Sequence, residues 1–217
     1  MVSNSRTALR LLVCAAAAAI VYALVKNYVL DPQAAEFLGH KPESSLPDNG
    51  GAWLIVLYIH IAAACLATLS GLLGFLPRTR RTAAALRFHR WNGYVYLTSI
   101  IIICISSGYM APYATGGKWT SIPFNLLNIF WPAITIFAIR SARKRRLANH
   151  KRGMIRSYAF CFNNLTLHIF TTLFYSGFGL DYTLGYTIAL YVNIAFLLAA
   201  GEIVIRMLKI PKDQRRA

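Results

Sequence analysis

Four histidines carry the chemistry this sequence offers: His60, His89, His150 and His168. Neutral imidazole is a good iron ligand, and two such rings on facing helices supply both axial positions of a haem. His60 and His168 sit deep in apolar runs, where an ionisable side chain is costly and is a functional candidate by default. Counted inward from the outer ends of their runs, both lie roughly 12 Å below the boundary at 1.5 Å per residue. They form an outer pair. His89 and His150 each stand where a basic stretch meets a helix, and form an inner pair. No His-x-x-x-His occurs and no glutamate adjoins any of the four. The competing reading is structural: histidines that bond a neighbouring helix or sit among lipid head groups. The fifth, His40, falls in a Pro-rich stretch and is expected to be solvated.

The elements that must position these rings are membrane helices. Of the 217 residues 57% are hydrophobic and only 14% charged, and the mean hydropathy is +0.48. Uncharged apolar runs of about 18 or more residues read as spans. Six such helices are expected, at about 11–30, 52–76, 91–112, 122–139, 153–178 and 184–207. Together they make one all-α membrane domain over residues 1–217. Pro77 is expected to end the second helix, and Gly116-Gly117 to mark a tight turn. Pro123 and Pro132 fall within the fourth, which membrane helices tolerate.

The net charge of +16 is lopsided. Basic residues gather at Arg6 and Arg10, Arg78 to Arg90, Arg140 to Arg156, and Arg206 to Arg216. The intervening segments hold Asp31, Glu36, Glu43, Asp48 and Asp181. This alternation is the positive-inside pattern, and it puts both termini in the cytoplasm. Nucleic acid is the weaker explanation, because the basic stretches are short and abut the apolar runs. The first helix reads as uncleaved, since no small-x-small site follows it.

Other chemistry finds little support. The four cysteines lie inside apolar runs without a Cys-x-x-Cys pair, which leaves them as small hydrophobes. There is no nucleophile elbow and no Gly-rich phosphate loop. Asn163, Asn164 and Asn193 are further polar residues in apolar runs; Asn163 and Asn164 are expected to bond helix to helix, with a cofactor edge as the weaker alternative. Glu202 stands four residues before Arg206 and is expected to pair with it. Arg90, Arg152 and Arg156, beside the inner histidines, could hold haem propionates or a quinone head, and positive-inside anchoring explains them equally well.

The segments His89-Arg90-Trp91-Asn92-Gly93-Tyr94-Val95-Tyr96 and His150-Lys151-Arg152-Gly153-Met154-Ile155-Arg156-Ser157-Tyr158 carry a resemblance. In them the chain resembles a bacterial multi-pass membrane family catalogued as a domain of unknown function (2306). The resemblance implies a bacterial plasma-membrane protein and supplies no activity. It favours His89 and His150, which stand in the two motifs, over His168, where the family pattern has arginine. By layout alone the four histidines are similar to those of cytochrome b561-type carriers.

The leading expectation is a haem b-binding electron-transfer protein exchanging electrons with quinone or a membrane redox partner. His89 and His150 would be inner axial ligands, His60 and His168 outer ones, and Arg90 and Arg156 anion partners. The alternative is a non-catalytic scaffold or assembly factor with structural histidines. A transporter ranks third, for want of paired broken helices.

Overall fold

The computed structural model describes residues 2–41, 46–76 and 82–210, with the side chains of 2–6 and 8 left out. Pro42, Glu43, Pro77 with its role as a terminator, Arg78 to Arg81, and the tail from Pro211 lie outside the described residues. Those that are described form helices and turns without a strand.

α1 (Val2–Leu24) continues as a π-helix, Val25–Leu30. After a turn comes the short α2 (Ala35–Gly39). α3 (Gly50–Phe75) and α4 (Ala83–Met110) form the tightest antiparallel pair. A 3-10 turn, Ala111–Tyr113, leads to α5 (Lys118–Arg143). α6 (Leu147–Ala159) passes through a 3-10 turn at Phe160–Phe162 into α7 (Asn163–Thr172) and a π-turn, Leu173–Gly177. α8 (Tyr182–Met207) closes the bundle against α5, α6 and α7.

Among the described residues, five helices are long and apolar enough to cross a membrane: Leu9–Leu30, Gly50–Phe75, Ala83–Tyr113, Lys118–Arg143 and Tyr182–Met207. The run expected at 153–178 is wound throughout but broken in type. At the break Thr166 Oγ1 donates back to the Phe162 carbonyl at 2.9 Å, a bond that competes with the helix ladder and bends it.

Three helix starts, those of α3, α4 and α8, are set by side-chain caps. Asn49 accepts from Ala52 N at 3.0 Å, and Asp181 accepts from Thr183 N at 2.9 Å. Thr82 accepts from Ala85 N, so α4 begins eight residues before the expected position 91. His89 therefore lies inside α4 rather than at its mouth. The basic stretch expected as a loop over 140–152 is also mostly helix. It turns within Lys144–Arg146, where Arg145 has φ 58° and Arg146 N donates to Ser141 O at 2.9 Å. His150 falls in the first turn of α6. The glycine turn stands as expected: Gly116 has φ 91°, and a Cβ there would meet Thr187 Oγ1 at 2.6 Å.

The main core joins α3 through α6 and α8 around Ala67, Tyr96, Ile100, Trp131 and Tyr158. A second cluster, with Leu167, Tyr186 and Leu190, sits near the end away from the basic residues.

Candidate functional site

At the basic end His89 on α4 meets His150 on α6, with ring centroids 6.2 Å apart and planes at 89°. His150 Nδ1 lies 3.0 Å from the Ala138 carbonyl on α5. A carbonyl only accepts, so Nδ1 carries the proton and Nε2 keeps the lone pair. Gly153 lets α5 come this close, since a Cβ there would meet Ala138 Cβ at 2.6 Å. Two imidazoles on one metal hold their nitrogens about 4 Å apart, which sets ring centroids about 6 Å apart. The spacing observed is compatible with that.

Arg90 is exposed beside His89. Arg156 donates through Nε to Glu202 Oε1 at 2.5 Å. The expected Glu202–Arg206 pair is therefore corrected: the carboxylate reaches across to α6 instead of along α8. Gly201 lies against the same stretch of α6, where a Cβ would make an ordinary contact with Arg156 Cα at 3.5 Å.

One level inward lies a closed polar knot. Ser157 Oγ, fully buried, accepts from Trp131 Nε1 at 3.2 Å and bonds Thr135 Oγ1 at 2.6 Å and Tyr96 OH at 2.9 Å. Beside it Tyr158 OH donates to Thr68 O at 2.9 Å, and Asn92 Nδ2 to Ser70 O at 2.7 Å. Ser157 and Tyr158 stood in the second motif, yet nothing in the spacing marked Ser157 as the meeting point of α4, α5 and α6.

Toward the other end the helices part around a cavity of about 250 Å³. His60 on α3 and His168 on α7 both form part of its wall, as do Cys65 and Cys161. His60 Nδ1 is 2.9 Å from Ser106 Oγ. Ser106 gives its own proton to the Ile102 and Ile103 carbonyls, so its oxygen accepts from His60 and the Nε2 lone pair is left over. The His168 ring packs edge-on to Tyr22 of α1, with centroids at 5.6 Å. Asn163 Oδ1 accepts from Asn193 Nδ2 at 2.8 Å and fastens α7 to α8, as expected of Asn163. Two donors in the same wall have no acceptor among the described residues: the Trp53 indole N–H and Asn128 Nδ2. Sequence reasoning passed over both. An asparagine in the uncharged run between Pro123 and Pro132 was the available signal.

The segment 31–41 folds over this end as a cap. Asp31 accepts from Ala35 N at 2.7 Å and Glu36 N at 3.1 Å, and Glu36 pairs with Lys26. Phe37 stacks on Trp53 at 6.2 Å. His40, expected to be solvated, is partly exposed and stacks one face on Tyr182 at 3.9 Å. Lys41 is only 8% exposed, donates to the Tyr113 carbonyl and lies 4.4 Å from the Phe37 ring centre. Burial pushes its amine down to about 8.

Among the described residues no group of three or more His, Cys, Asp or Glu side chains gathers as a site for a metal ion. An iron in a porphyrin needs only two protein ligands, because the macrocycle supplies four. No curated protein and no solved structure matches the chain. A family model described as "Predicted membrane protein (DUF2306)" matches residues 57–205, which take in the knot, both histidine pairs and most of the cavity but not α1 or the cap. With that match spanning well over half its length, the chain belongs to the DUF2306 family of membrane proteins.

Proposed function

We propose that this protein is a haem b-binding electron-transfer protein of the bacterial plasma membrane. It crosses the bilayer six times, with both termini cytoplasmic. Five helices long and apolar enough to cross support five of the crossings, and the continuous winding from α6 through α7 favours a sixth. The gathering of the basic residues at one end of the bundle, with only Lys26, Lys41 and Lys118 elsewhere, supports the orientation.

The observation that carries the haem reading is the pairing of His89 with His150 at 6.2 Å, with the His150 proton held on the Ala138 carbonyl. A ligating histidine ordinarily donates its other nitrogen in this way, which fixes the tautomer and turns the lone pair toward the metal. His89 and His150 would hold the iron. The exposed Arg90 offers a cation for a propionate, whereas Arg156 is engaged by Glu202. Bound haem would supply one-electron chemistry.

A visible spectrum of the purified protein tests the reading. Reduction with dithionite should sharpen a band that His89→Ala and His150→Ala each remove while the protein stays monodisperse. A colourless wild type that stays colourless on reconstitution with haemin overturns it. The second reading, a scaffold, is favoured by the edge-to-face contact of the two rings, which by itself joins α4 to α6. In that case the alanine variants lose stability without any change in colour.

A further inference from the structure

The cavity at the capped end has a chemical character of its own. Trp53 is 2% exposed, its ring forms part of the wall, and its indole N–H meets no acceptor among the described residues. Asn128 Nδ2 is likewise buried, in the same wall, without an acceptor. A buried donor without a partner is costly, so two of them on residues of one wall point to a ligand that brings acceptors. The charged side chains in the wall, Lys26 and Asp31, are taken up by Glu36 and by the start of α2. The ligand's acceptors are therefore those of a neutral molecule, carbonyl oxygens rather than carboxylate or phosphate. Phe124, Trp131 and Phe160 add flat apolar surface suited to a ring. The cavity lies among helices apolar enough to span a membrane, so its occupant comes from the bilayer.

We propose that the cavity binds the head ring of a membrane-soluble quinone, with Trp53 Nε1 and Asn128 Nδ2 donating to its carbonyl oxygens. The His60 lone pair adds a contact that depends on redox state. Nε2 can accept from a hydroxyl of the reduced ring and has nothing to accept from the oxidised one. The site gives the proposed carrier a lipid-borne exchange partner. Its ring-binding chemistry needs no iron, so it stands or falls separately from the haem.

The test is calorimetric titration of the purified full-length protein, in quinone-free nanodiscs, with a decyl-substituted benzoquinone and its quinol. Saturable one-site binding is expected. Asn128→Leu and Trp53→Phe should each weaken it about tenfold, the equivalent of one hydrogen bond. His60→Leu should weaken the quinol and leave the quinone unchanged. Methyl decanoate, which offers a carbonyl and a chain but no ring, should not compete. If it competes as well as the quinone, the site takes lipid esters and the proposal is overturned. Absence of saturable binding, or affinities that none of the variants moves, also overturns it. Should Trp53→Phe fold poorly, Asn128→Leu carries the test alone. A haem-free protein that binds quinone would refute only the electron-carrier reading.

Discussion

Two polar regions of this bundle are built on opposite principles. Around Ser157 the polar groups answer one another: Tyr96, Trp131 and Thr135 all meet at one fully buried oxygen. Around the cavity the wall keeps two donors unanswered, and the His60 ring is fixed with a lone pair to spare. Polar side chains between apolar helices cost free energy unless paired. Where they are mutually paired they hold helices together. Where buried donors on the wall of a cavity are left unpaired, the pairing would come from another molecule. Residue type did not distinguish the two regions, since both draw on hydroxyls, amides and an indole.

The sharpest way to break this contrast is to remove the centre of the knot. Ser157→Ala strips the partner from Trp131 Nε1 and leaves Tyr96 OH only its weaker contact with Cys161 Sγ at 3.8 Å. An orphaned buried group costs about 1–3 kcal/mol, and a loss of that size is expected as a lower midpoint in thermal or SDS unfolding. A midpoint within error of wild type would show that the knot does not hold the helices.

Gly71→Ala probes the packing beside it. A Cβ there would stand 2.4 Å from two carbons of the Tyr158 ring, and that ring is pinned by its bond to Thr68 O and by Phe75 and Phe162. Overpacking of this kind costs about 1–3 kcal/mol. Tyr158→Leu in the same background should recover part of the loss.

The cap offers a pH-dependent test on the cavity side. The Lys41 amine is pushed down to about 8 in the folded protein, below its ordinary 10.5, because burial disfavours its charge. Between these values the unfolded chain binds more protons than the native one. Stability contributed by Lys41 therefore rises with pH from about 8 to 10.5. Below 8 both states are charged and the desolvation cost is carried in full. Thermal midpoints across that window should climb in wild type relative to Lys41→Met. Parallel curves would mean that the lysine is hydrated and the cap is loose.

The spans were legible because long uncharged runs leave few alternatives, and five of them stand as helices apolar enough to cross. Their ends were less so. Thr82 starts α4 through a single hydroxyl bond, which hydrophobic runs do not reveal. The break at Phe160–Phe162 contains neither proline nor glycine, and its visible correlate is a threonine bonding backward. The cap was hidden for another reason. His40 and Lys41 read as polar loop residues, and only contacts with Tyr182 and Tyr113, far along the chain, dock His40 and bury Lys41. For the histidines, the sequence sorted the four into two levels. It could not show that Ala138 and Ser106 fix two of their tautomers.

The smallest expected effect is also the one that most directly separates the two regions. Asn128→Leu replaces an amide by an apolar side chain of similar size. At the knot, loss of a polar group leaves its partners stranded. At Asn128 the donor has no protein partner to strand, so the substitution removes a desolvation cost without breaking a bond. In quinone-free lipid the variant should match wild type or exceed it by up to about 1 kcal/mol in unfolding free energy. A loss comparable to that of Ser157→Ala would mean that Asn128 is bonded within the folded protein. The cavity wall would then be a second structural knot, and the distinction between the two ends of the bundle would fail.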